Sequence, residues 1–178
     1  ILMVADEVIC GFGRTGNMWG SETFKIEPDI ITAAKALSSA YLPISAVILS
    51  EKVYEPIKSQ ANELGIFGHG YTYSAHPVCA AAALKTQQLM SERNIIGNVR
   101  EQSNLFNERI SKIMNDHWFF NDSRSVGLIG AIEFGYEENK KFDAKIKIAA
   151  QCVKEIQKAG VILRALPGDI IGFCPPLI

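Results

Sequence analysis

The sequence has almost no excess of charge of either sign: 18 Lys and Arg stand against 19 Asp and Glu, a formal net charge of −1. That balance removes the electrostatic case for a nucleic-acid partner, whose binders carry a basic patch or stripe. Long apolar runs are also missing. No stretch approaches the ~20 residues that cross a bilayer as a helix, so no membrane partner is expected. Cysteine is sparse and unpatterned: Cys10, Cys79, Cys152 and Cys174 make no Cys-x-x-Cys or Cys/His ligand set. They read as small hydrophobes in a reducing compartment, which points to the cytoplasm. His69 and His76 are too far apart for the His-x-x-x-His pair of a helical zinc site, and no carboxylate lies between them, so no metal is expected.

The remaining composition suits a protein with a real core, 48% apolar and 21% charged. A length of 178 residues holds one ordinary domain or parts of two. The chain starts at Ile1 inside a strand pattern, without an initiator methionine, and stops at Pro175-Pro176-Leu177-Ile178 without a closing element. These ends predict an internal piece of a longer protein. Silence about a targeting peptide then carries no information.

The chemistry gathers in the first 35 positions. Ile1-Leu2-Met3-Val4-Ala5 is a continuous apolar run without alternation, which predicts a strand covered on both faces in a parallel sheet. It ends in Asp6, where a charge is costly unless paired. Ile30-Ile31-Thr32-Ala33-Ala34 predicts a second buried strand that delivers Lys35 to the same edge. Ligands of open α/β sheets sit at the carboxyl ends of strands. A carboxylate and an amine at such an edge suit a pyridine cofactor: the Asp holds a protonated ring nitrogen, and the Lys condenses with the aldehyde across the ring. Each also has a plainer reading, Lys35 as a solvated surface lysine and Asp6 as a loop cap or a partner of Arg14.

Between the two strands, Gly11-Phe12-Gly13-Arg14-Thr15-Gly16 matches G-x-G-x-x-G. The dinucleotide fingerprint needs a helix to start at its third glycine. Asn17-Met18-Trp19-Gly20-Ser21 is poor material for that start, so the loop reads as a turn whose glycines supply positive φ. A strand over Ile44 to Leu49 follows, then a short helix from Glu51 to Lys58 with Ser50 at its N-cap. Residues 60 to 71 read as an extended surface loop. Pro77 suits the first turn of an alanine-rich helix reaching about Ser91. Ile96, Val99, Ser103, Phe106, Ile110 and Ile113 recur at spacings of three and four, one face of a further helix.

Asn121-Asp122-Ser123 breaks that pattern and suggests a domain change near residues 117 to 124, giving domains over 1–120 and 121–178. Val126, Leu128, Gly130, Ile132 and Phe134 alternate as a strand with one covered face. Phe142, Ile146, Ala149, Val153 and Ile156 mark an amphipathic helix stopped by Gly160. Val161 to Arg164 and Ile170 to Cys174 predict two strands around the turn Pro167-Gly168-Asp169. Strand, helix and strand pair describe a small α/β domain beside a larger sheet.

Taken together, ADEVICGFGRTG (residues 5–16) and PDIITAAKALSSAYLPISAV (28–47) resemble the class III (subgroup II) pyridoxal-phosphate aminotransferases, closest to the ω-amino acid:pyruvate or amine:pyruvate transaminases. The resemblance runs along essentially the whole chain. It implies an α/β protein of fold-type I: part of a large domain with a parallel-rich sheet and helices, plus a small C-terminal α/β domain. It also implies pyridoxal 5'-phosphate as cofactor and a homodimer with shared active sites. The loop holding most of the cofactor phosphate and a C-terminal helix would lie outside these residues. The implied reaction is ping-pong, moving an amino group from an amine or ω-amino acid to pyruvate or a similar keto acid.

The resemblance also distributes roles. Lys35 binds the cofactor covalently and, once displaced by substrate, carries a proton. Asp6 accepts the N–H of the ring nitrogen. Val8, two positions on and so on the same side by strand alternation, packs on the ring, its plainer reading being ordinary core. Thr72, in His69-Gly70-Tyr71-Thr72-Tyr73-Ser74, resembles the segment that reaches across a dimer to the partner's cofactor phosphate. Arg164 pairs with the substrate carboxylate, a bidentate task suited to guanidinium. Arg14 and Trp19 receive no role.

The loop after Lys35 departs from the family: Ala36, Ala40 and Ser45 stand where relatives usually carry glycine, and a Cβ strains any of these positions that has positive φ. Three rival readings remain at this level. One is an aminomutase or decarboxylase on the same scaffold. Another is a nucleotide-binding oxidoreductase built on the glycine loop. The last is a piece that is not competent alone.

Overall fold

Val4–Asp6 (β1) and Ile30–Ala33 (β2) pair in parallel, with Val4 opposite Ile30 and Asp6 opposite Thr32. Ala46–Leu49 (β3) joins the far side of β2 antiparallel, so the first sheet is mixed and ordered β1-β2-β3. The structure, a computed structural model, describes residues 1–137 and 140–178. Its residues gather into two units, Ile1–Ile96 and Gly97–Ile178.

The parallel pair is as the sequence predicts, but the cover on both faces is not. Among the described residues β1 pairs with β2 alone, and Val4 is 58% exposed.

The glycine loop is a turn and not a dinucleotide site. Gly13 and Gly16 have φ of 102° and 90°, a region that side chains with a Cβ avoid. No helix starts at Gly16. The next one, Gly20–Phe24 (α1), is five residues long. Its N-terminus is already occupied: the buried Glu7 carboxylate accepts the Gly20 N–H through Oε2 at 2.8 Å and the Ser21 N–H through Oε1 at 2.6 Å. A carboxylate in that position satisfies the donors that a pyrophosphate would need. This removes the oxidoreductase reading.

After β3, Glu51–Leu64 (α2) runs six residues past the expected end at Lys58. Pro56 gives up one backbone bond inside the helix without ending it. The helix stops instead at Gly65, whose left-handed φ of 69° turns its N–H back to the Ala61 carbonyl. The surface loop therefore begins at Gly65 and not at residue 60. Ser50 sits at the N-cap as expected, yet its hydroxyl makes no capping bond. Pro77–Glu92 (α3) opens on Pro77 at the first helical position, as the sequence predicts.

Ile95–Asp116 (α4) runs on into the second unit, on the N-terminal side of the expected 120/121 division. Val99 and Ile110 on its apolar face are buried. The second sheet is antiparallel throughout, ordered β4-β5-β7-β6, from Phe120–Val126 (β4), Ile129–Phe134 (β5), Arg164–Leu166 (β6) and Ile170–Phe173 (β7). The expected break at Asn121-Asp122-Ser123 is in fact part of β4, with an irregularity between Phe120 and Asp122. It is an edge strand, and the polar residues that keep an edge from pairing further make it look like a loop in sequence. Val126 belongs to β4, while Gly130, Ile132 and Phe134 carry the buried alternation of β5.

Ile148–Lys158 (α5) covers this sheet, with Ala149 buried beside Phe134 and Ile171. Phe142 and Ile146 precede the helix, so it starts later than predicted. The β6–β7 turn braces its first turn: Asp169 Oδ1 accepts the Ala149 N–H at 3.2 Å. On β5, the Lys141 ammonium 2.6 Å away and the Arg124 guanidinium hold the Glu133 carboxyl below the usual range.

Candidate active site

The parallel register brings the ends of β1 and β2 to one sheet edge. Asp6 closes β1, and its Oδ1 accepts the Val8 N–H at 3.0 Å and the Thr32 hydroxyl at 3.3 Å. The loop-cap reading of Asp6 is thus part of its role. Both contacts fall on one oxygen, which leaves Oδ2 for a further donor. Val8 is half-buried in the turn beyond the strand, so this hydrogen bond, and not strand alternation, ties it to Asp6.

β2 leaves the sheet at the buried Ala33 and, after Ala34, enters a 3₁₀ turn, Lys35–Leu37. Lys35 has a left-handed φ of 41° and is exposed, three residues beyond the partner of Asp6. The turn is bonded internally by Leu37 N–H to the Ala34 carbonyl at 2.9 Å and by Ser38 and Ala40 N–H to the Lys35 carbonyl at 3.2 and 3.3 Å. Ser38 is buried, and its hydroxyl donates to the Leu42 carbonyl at 2.7 Å.

Of Ala36, Ala40 and Ser45, only Ala40 has positive φ, at 60°. A Cβ there costs ~1–2 kcal/mol, while glycine adds ~0.4–1 kcal/mol of chain entropy to be lost on folding. Ala40→Gly is therefore expected to stabilise the full-length protein by about 0.5–1 kcal/mol, the difference of those terms. Denaturant unfolding checks it; an unchanged or lower midpoint would show that the neighbouring bonds already absorb the strain.

Thr72 lies on the loop before α3, in a turn closed by Ser74 N–H to the Tyr71 carbonyl at 2.9 Å and Tyr71 N–H to Ser74 Oγ at 3.1 Å. It is exposed between Tyr71 and Tyr73, which are 80% and 81% exposed. Arg164 begins β6 and does not end a strand as expected, because Val161–Leu163 is irregular chain after Gly160. Its guanidinium side chain is exposed, and its cross-strand partner is Gly172, which has no side chain to pack on it. Asp6, Val8 and Lys35 thus follow the carboxyl ends of two paired strands, Thr72 sits on a loop of the same unit, and Arg164 belongs to the other unit. Among the described residues, no group of His, Cys, Asp and Glu side chains could hold a metal ion.

Sequence reasoning missed Glu7. A signal existed: Trp19 at the N-cap of α1 offers no side-chain cap, so the cap had to come from elsewhere, and a carboxylate in an apolar context is a ready acceptor.

The family model for aminotransferase class-III matches residues 1–178. The chain belongs to the class III aminotransferases. Among its relatives, an uncharacterized aminotransferase of Sinorhizobium fredii is 48% identical over 181 residues, covering 100% of this chain and 39% of that protein. A mitochondrial gamma aminobutyrate transaminase 1 of Solanum lycopersicum is 44% identical over 180 residues, covering 100% of this chain and 35% of that one. Among solved structures, the PMP-bound form of an aminotransferase from Vibrio fluvialis superposes with a TM-score of 0.94 at 33% identity, covering 99% of this chain and 39% of that one. This chain therefore carries part of the fold-type I transaminase fold and spans well under half the length of these relatives.

Class III aminotransferases depend on pyridoxal phosphate, and the residues present fit it. Asp6 Oδ2 would take a ring N–H, Thr32 holds Oδ1, and Lys35 stands exposed just beyond the neighbouring strand end. Ala33, Ala34 and Ala36 flank the lysine with small side chains.

Proposed function

We propose that this aminotransferase moves an amino group from an amine or ω-amino acid to pyruvate or a similar keto acid, with pyridoxal 5'-phosphate as cofactor. One observation carries the reading: the parallel register sets Asp6 and Lys35 at adjacent carboxyl ends of β1 and β2. The gamma aminobutyrate transaminase among its relatives acts on an ω-amino acid, in keeping with that donor class.

When bound, pyridoxal phosphate supplies a ring that takes up the electron pair of a broken C–H bond. Asp6 keeps the ring nitrogen protonated by pairing its carboxylate with the ring N–H, a charge-assisted hydrogen bond. Val8 packs on the ring. Lys35 anchors the cofactor and, once free, accepts the substrate proton and returns it as a general acid. Thr72 offers its hydroxyl to the phosphate of a partner subunit in a homodimer. The exposed Tyr71 and Tyr73 on the same loop support that role, since aromatic residues are enriched at protein interfaces. Four free cysteines favour a reducing compartment, and the cytoplasm is the location we propose, to be checked by cell fractionation.

Arg164 reads the substrate carboxylate. A guanidinium clamps pyruvate through two parallel hydrogen bonds, whereas an amine without a carboxylate gives it nothing to hold. Serving both substrates requires a side chain that engages for one and withdraws for the other, and the bare cross-strand Gly172 leaves Arg164 unpacked on that side. Arg164→Ala is expected to weaken the half-reaction with pyruvate by roughly 1.5–3 kcal/mol, the range for hydrogen bonds to charged groups. The half-reaction with a carboxylate-free amine should change far less. Stopped-flow half-reactions on the full-length variant, followed by cofactor colour, test both arms. Equal losses would make Arg164 a support of the fold, and wild-type enzyme that shows neither half-reaction would overturn the transaminase reading.

A further inference from the structure

We propose that Gln87 is a positioning residue for Lys35, bracing the lysine-bearing turn through a two-pronged amide contact. Gln87 lies on α3, half-buried, four residues after the buried Ala83 and so on the same helical face. Its Nε2 donates to the Leu37 carbonyl at 2.9 Å and to the Ala36 carbonyl at 3.2 Å. These carbonyls end the 3₁₀ turn that Lys35 begins, where a helical segment leaves acceptors unsatisfied. The Ala36 carbonyl also receives the Ser39 N–H, but at a long 3.4 Å. With two carbonyls in front of it, the side chain must present its NH₂, whose two hydrogens match two acceptors.

The turn has reason to need the brace. Lys35, Ser39 and Ala40 all carry a Cβ at left-handed φ, at 41°, 51° and 60°. Three such residues within six are a segment poised to relax, and any relaxation there redirects the lysine amine. A displacement on the order of 1 Å at a reacting group costs ~10²-fold in rate. Gln87 reaches this turn from about fifty residues along the chain, on the helix that directly follows the Thr72 loop.

The inference rests on Lys35 being the reactive lysine of the proposed transamination, and its test separates the two ideas. Two variants of the full-length protein suffice: Gln87→Glu keeps the shape and removes the donor, and Gln87→Lys restores a donor. In apoenzyme, mass-spectrometric hydrogen exchange of the segment 36–41 is expected to speed up about tenfold in Gln87→Glu, with the rest of α3 unchanged. In holoenzyme, kcat is expected to fall about tenfold while KM holds, with a larger substrate deuterium isotope effect, because proton transfer by a displaced lysine is slowed. Gln87→Lys should recover both. Wild-type exchange and kcat in Gln87→Glu would overturn the inference. So would exchange that rises across the whole first unit, or a loss that Gln87→Lys does not recover, since either marks a general packing role. A wild-type enzyme without half-reactions would instead overturn the transaminase reading, and the apoenzyme exchange would still decide whether Gln87 holds the turn.

Discussion

Lys35→Ala is expected to abolish turnover, lowering kcat by ~10⁴-fold or more, because one side chain serves as both covalent anchor and proton carrier. Its exposed place at the end of β2, beside the carboxylate that closes β1, leaves the amine accessible from the sheet edge. Borohydride reduction of the wild-type holoenzyme should fix pyridoxyl mass on the peptide containing Lys35, and label on any other lysine would sink the assignment. The same variant probes the dimer. Co-expressed with Thr72→Ala, it should form hybrids in which one site collects both lesions and the other has none. Activity above either parent supports a Thr72 that acts across the interface. Activity at the level of the parents alone would place Thr72 in its own chain's site.

Asp6→Asn is expected to leave the fold intact and lower transamination by about 10²–10³-fold, the scale for losing one preorganised electrostatic partner. The amide is nearly isosteric, and its oxygen can still accept the Val8 N–H and the Thr32 hydroxyl. Nothing then holds the ring nitrogen protonated, and the electron pair of the broken C–H bond loses its sink. Thermal unfolding alongside single-turnover kinetics separates the two effects. Near-normal turnover would make Asp6 the loop cap that its Oδ1 already is, and no more.

Much of this site was legible because its signals are local. An unalternating apolar run ending in Asp6, a second ending in Lys35, and small residues around the lysine all lie within short windows. Pro77 at a helix start and the three-and-four spacing through Val99 and Ile110 are equally local, and both helices are where the pattern puts them. The misses have local causes too. The end of α2 lay at Gly65 and not at Lys58. Strand β4 carries the polar residues of an edge, which a periodicity reading takes for a loop.

The sequence by itself determined the strand–loop–strand frame, the carboxylate and the amine that follow its two apolar runs, and the family to which the chain belongs. Only the tertiary structure decided how those groups are held. Glu7 caps a helix 13 residues away, and Gln87 bonds a turn about fifty residues away. Of three alanine and serine replacements, one alone falls at a strained φ. Periodicity and capping rules speak of neighbours within a few turns of chain, whereas an unsatisfied carbonyl or N–H takes whichever donor or acceptor the folded path brings within about 3 Å. That path is set by the packing of whole elements, so the partners of Lys35's turn could not be read until α3 lay beside it.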